Sequence, residues 1–84
     1  MKQQPEKSPA MSRDDFVVET QTVQLHNIRL GRFFVPSECS GETVYVRGAE
    51  NISIAVAGFF PGHILRLPET FGVYPAHVHG KTND

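Results

Sequence analysis

Tryptophan is absent from this chain and cysteine occurs once, at Cys39. A single thiol cannot close an internal disulfide, and small secreted domains usually carry several, so the composition points to a reducing cytoplasm. No apolar run approaches the roughly 20 residues needed to cross a bilayer. The opening stretch MKQQPEKSPAMSRDD has no apolar segment of the kind a signal peptide requires, so neither secretion nor membrane insertion is expected. On that reading the sequon Asn51-Ile52-Ser53 is a chance match. A basic excess is missing as well. Eight Lys and Arg stand against nine Asp and Glu, which lacks the cationic footprint of an autonomous nucleic-acid binder. Helical periodicity at i, i+3, i+4, i+7 is found over no useful length. No Gly-rich phosphate loop precedes a helix, which removes the commonest nucleotide-binding device.

What is present is alternation. Its clearest example is Phe33 to Arg47, FFVPSECSGETVYVR, where an aromatic and β-branched run reaches Pro36, polar residues with Gly41 form a turn, and alternation resumes through Val44 and Val46. Phe16 to Leu25 is rich in Val and Thr, which suits a pleated surface, and His26-Asn27 makes a break. Ile28 to Val35 continues as strand with Gly31 as a bulge or bend. Val44 and Val46 are expected inward, with Thr43, Tyr45 and Arg47 outward. Gly48 to Asn51 is a turn, and Ile52 to Ala57 follows with Ile52, Ile54 and Val56 inward and Ser53, Ala55 and Ala57 outward. The small outward residues suggest close approach of another layer or chain. A short strand from His63 to Leu67 ends at Pro68, and a last strand covers Phe71 to His79, broken at Pro75.

The fold expected is therefore all-β, a small five- to six-stranded antiparallel barrel or sandwich over residues 16–80, with a disordered lead-in at 1–15 and a tail at 81–84. A domain of 84 residues buries a modest share of its surface and gains from oligomerisation.

Candidate chemistry is sparse. His77 and His79 at i, i+2 share one face of a strand, and adding His63 gives three imidazoles, enough for a divalent transition metal. This metal or small-ligand reading is similar to a cupin jelly roll, with Pro61-Gly62 ahead of the strand His63 to Leu67 and Tyr45 to Gly48 as the upstream segment. The cupin His-x-His with a downstream Glu is missing from that upstream segment. Cys39 lies beside Glu38, whose charge raises a thiol pKa and makes a poor nucleophile. Glu19, Glu38, Glu42, Glu50 and Glu69 fall on loops or exposed strand positions, so no catalytic residue is assigned and an enzyme is not expected. Arg29, Arg32, Arg47 and Arg66 are the only Lys or Arg between Phe16 and Lys81. Arg29, Arg32 and Arg47 with Tyr45 form the candidate macromolecule-binding set, able to give weak, salt-sensitive phosphate contacts. Of the aromatics, Tyr45, Phe59 and Phe60 could stack on bases, while Phe59 and Phe60 are read first as closing one end of the core.

The spacing of Phe34, Val35-Pro36, Gly41, Val44 and Val46-Arg47 resembles the C-terminal small β-barrel domain of Mu-like and related insertion-sequence transposases. Ile28-Arg29-Leu30 looks like the strand before that segment, and Ile52 to Val56 like the strand after it. The resemblance spans about 30 residues and implies a small six-stranded barrel that assists DNA or subunit contacts beside a catalytic domain. That domain's carboxylates are not in this chain. Two functions are thus expected of different classes. One is a non-enzymatic accessory module that contacts protein, including itself, and nucleic acid weakly. The other is the histidine-based metal module.

Overall fold

The computed structural model describes residues 12–38, 43–59 and 61–79. Among them the expectation of an all-β fold holds, with seven antiparallel strands rather than five or six. In chain order these are β1 (Phe16–Val18), β2 (Val23–Gln24), β3 (Phe33–Pro36), β4 (Val44–Arg47), β5 (Ile52–Ala57), β6 (Ile64–Arg66) and β7 (Gly72–Val78). They form one sheet in the order β1-β7-β3-β4-β5-β6, with β2 also paired to β7. The sheet does not close into a barrel. Its two ends remain separate edges, β1 and β6.

The extra strand arises because the expected strand Phe16 to Leu25 is two pieces. β1 and β2 both lie along β7, aligned Val18 to Ala76 and Val23 to Val73, with Glu19 to Thr22 between them. A 3-10 turn, Leu25–Asn27, follows at the expected break. The chain is also ordered earlier than expected. Ser12 caps a 3-10 turn, Arg13–Asp15, in a reciprocal box with Asp15, and the Ser12 N–H donates to Asp15 Oδ2 at 2.9 Å. The rest of the lead-in, Cys39, Gly41, Phe60 and the tail lie outside the described residues.

Pro75 does not break β7. The Ser37 N–H donates to the Gly72 carbonyl, so along β3–β7 the hydrogen-bonded pairs are Ser37–Gly72, Val35–Tyr74 and Phe33–Ala76. Pro36 and Pro75 fall at the alternate positions of that ladder, where no N–H is asked of either. The Pro75 carbonyl faces the other way and accepts from the Glu19 N–H at 2.8 Å, just past the end of β1. A proline is tolerated at this point because its missing donor faces the gap between β1 and β2.

The core has two clusters on the two sides of β3, since Phe34 belongs to one and Val35 to the other. The first joins Leu25, Ile28, Phe34, Tyr45, Ala55 and Val73, with Leu65, Leu67 and Phe71 packed against it. The second joins Phe16, Val35, Val44, Ala57 and Ala76, and the Phe16 and Phe33 rings meet edge to face at 4.9 Å. Burial on β5 is the reverse of the expected pattern. Ser53, Ala55 and Ala57 face inward and are buried, whereas Ile54 is 40% exposed. The register explains this. Tyr45 pairs with Ala55 and stacks on Phe34 with ring centroids 6.0 Å apart, so two aromatic rings fill the interior at that level and only small residues fit opposite. A register shift between Val44 and Tyr45 adds one residue to β5, so consecutive β4 residues oppose Ala57 and Ala55 and both are buried. Tyr45 is thus a core residue, not an outward one.

Candidate functional site

Residues that stand directly opposite each other in a sheet share one face. Followed across the register, one row of partners runs through all six strands of the main path: Val18 with Ala76, Ala76 with Phe33, Phe33 with Val46, Val46 with Ile54, and Ile54 with Ile64. Every member is apolar. The row begins inside the second cluster, where Val18, Ala76 and Phe33 are covered, and emerges at its other end. Ile54 and Ile64 are 40% and 59% exposed and are cross-strand neighbours. Ile52 lies one step along the same face, opposite Arg66.

The exposed end of the row sits on an edge. The Ala55 N–H donates to the His63 carbonyl at 2.9 Å, which fixes the parity of β6. His63 and Leu65 turn their backbone groups toward β5, and Ile64 and Arg66 turn theirs outward. No strand among the described residues pairs with that outer side. The edge is short and carries Arg66, one of the devices that limit indiscriminate strand addition, yet its outward apolar residue is the exposed Ile64.

The expected binding residues are dispersed. Arg47 is committed to the fold: its Nη1 donates to the Ile28 carbonyl at 2.7 Å and to the Leu25 carbonyl at 3.3 Å, closing the end of the 3-10 turn Leu25–Asn27. Its backbone N–H donates to the Arg32 carbonyl and its own carbonyl accepts from the Gly31 N–H. This corrects the reading of Arg47 as a phosphate contact, because the guanidinium serves buried carbonyls. Tyr45 is corrected for a similar reason: it is buried against Phe34, so its ring cannot stack on a base. Arg29 and Arg32 stand exposed in the turn that leads into β3, where Gly31 takes a positive φ of 85° that favours glycine. Phe59 does not close the core. It is 57% exposed, and its N–H donates to Thr43 Oγ1.

The three histidines are not brought together as a metal site. His63 precedes β6 and its ring sits 6.5 Å from that of Tyr45, whereas His77 lies on β7, with three strands between them in the sheet. The His79 N–H donates to the Asp15 carbonyl just before β1. Among the described residues no group of three His, Cys, Asp or Glu side chains is placed to hold a metal ion. Nor is any helix there long and apolar enough to cross a membrane.

The outward face of β5 is a surface feature that the linear sequence does not reveal. Its triplet of alternating aliphatic residues reads as a core face, and the register shows that two aromatic rings already occupy the interior beside it. No protein-family model matches the chain, and comparison with curated proteins and with solved structures likewise returned no match.

Proposed function

We propose that the chain is a non-enzymatic interaction module that contacts protein through the β5–β6 end of its sheet. The observation that supports this reading is the apolar row that leaves the core and ends, at Ile54 and Ile64, beside the open edge of β6. An extended segment added to that edge gains main-chain hydrogen bonds from Ile64 and Arg66 and covers the two isoleucines, the usual economy of strand addition. The role is accessory, as the resemblance to the transposase barrel domain implies, and the setting is the cytoplasm. Of the arginines expected to meet phosphate, Arg29 and Arg32 are exposed, a charge suited to weak, salt-sensitive contact with nucleic acid.

Sedimentation of the wild type against the Ile54→Lys/Ile64→Lys double variant tests the proposal. Both side chains are outside the core clusters, so circular dichroism of the variant should match the wild type. Association of the wild type that is lost in the variant is the expected result. Equal behaviour of the two proteins contradicts it.

A further inference from the structure

Resting on that reading, we infer that the strand received by the β6 edge is β1 of a second copy of this chain, so that copies join head to tail. Three observations converge on this occupant. The first is charge. From Ile52 to Leu67 the only Asp, Glu, Lys or Arg is Arg66, with His63 beside it. From Arg13 to Gln24 the charges are Arg13, Asp14, Asp15 and Glu19, a net acidic set. One edge of the sheet therefore has a net positive charge and the opposite edge a net negative one, so unlike edges are complementary.

The second is backbone parity. Glu19 donates to Pro75 and Asp15 accepts from His79, so Asp15, Val17 and Glu19 face β7, leaving the Val18 N–H and carbonyl and the Phe16 carbonyl pointing away from the sheet, while the Phe16 N–H donates to the Arg13 carbonyl. On β6 the outward residues are Ile64 and Arg66. In an antiparallel junction, Ile64 opposite Val18 and Arg66 opposite Phe16 bring outward residues against outward residues at both positions. Strand direction agrees too. Five antiparallel steps leave β6 running opposite to β1, so an antiparallel neighbour for β6 has the direction of β1 in the same sheet.

The third is the row. Ile64 ends it and Val18 begins it. The register above sets the Ile64 of one copy against the Val18 of the next, so the apolar row continues from copy to copy on the same face. His63 then stands opposite Glu19, and Asp14 lies within diagonal reach of Arg66. Past Arg66 the ladder stops at Pro68, which has no N–H to give.

A contact between two different patches does not end at two copies. It closes into a ring or continues. Sedimentation over a concentration series should show species larger than a dimer, reduced by salt. Two variants separate the edges. Ile64→Pro removes an outward N–H from β6 and Val18→Pro removes one from β1, and neither donor serves the monomer's ladder. Each variant alone should be monomeric, and an equimolar mixture should form a dimer that grows no further. A wild type that stays monomeric overturns the inference, as does either proline variant forming dimers alone, because the contact would then be between like edges. If Ile64→Pro abolishes association and Val18→Pro leaves it intact, the β6 edge stands as the binding surface and β1 falls as its occupant. If Ile64→Pro changes nothing, both readings fall together. Should a proline variant fail to fold, the charge pair Arg66→Glu and Asp14→Lys decides. Each alone should weaken association at least tenfold and their mixture should restore it, and a mixture that stays weak overturns the inference.

Discussion

The centre of the sheet and its β6 end are built from the same residue types to opposite effect. At the centre, β3 and β7 are packed on both faces: Phe34 and Val73 go to one cluster, Val35 and Ala76 to the other. At the end, β5 turns Ser53, Ala55 and Ala57 to the interior and leaves its isoleucines facing out. A chain this small has little apolar surface to spare, and here it places large aliphatic side chains in water while a serine is buried. The difference teaches that the hydrophobic residues of this sheet are divided between holding the fold and presenting a face.

That division can be broken most forcefully at the centre. Phe34 is fully buried and stacked on Tyr45. Phe34→Ala should lower stability by about 3–5 kcal/mol, a large part of what a small domain has, read as a collapse of the urea midpoint. Arg47 comes next. Arg47→Met keeps much of the volume but strips the donor from the Leu25 and Ile28 carbonyls, and should cost roughly 2–3 kcal/mol in the same assay. Ser53→Ala sharpens the contrast, since the Ser53 hydroxyl is buried with no hydrogen-bond partner among the described residues. Its removal should be neutral or raise stability by about 1 kcal/mol, whereas a loss would show that the hydroxyl is satisfied in solution. The smallest change belongs to the outer face. Ile64→Thr should move the monomer's stability by less than about 0.5 kcal/mol, while weakening association.

Much of this architecture was legible from alternation and turn residues. β4, β5 and β6 lie within the expected spans, Pro68 follows β6, and the Gly48–Asn51 turn forms where its composition places it. Glycine is needed at position 48 because a Cβ there would meet the Ile52 carbonyl oxygen at 2.9 Å, and Glu50 and Asn51 take positive φ to complete the reversal. The inward face of β5 was not legible. Alternation identifies two faces without saying which is the inner one, and the answer depends on rings contributed by Phe34 and Tyr45 from other strands. The continuity of β7 through Pro75 was hidden for a related reason, since whether a proline breaks a strand depends on which side of the ladder its nitrogen faces. The site suffered most. Arg47 and Tyr45 look available in a linear reading and are consumed by the core, while His63 precedes β6, with three strands between it and His77 on β7 and His79 just past it.

Amide hydrogen exchange followed over a range of protein concentration tests the central claim most directly. The outward amides of Ile64 and Arg66 on β6 should exchange rapidly in dilute protein and become protected as concentration rises, while Tyr74 and Ala76, bonded within the sheet, keep the same protection throughout. Protection of Ile64 and Arg66 that is already complete in dilute protein, or that never appears, would contradict it.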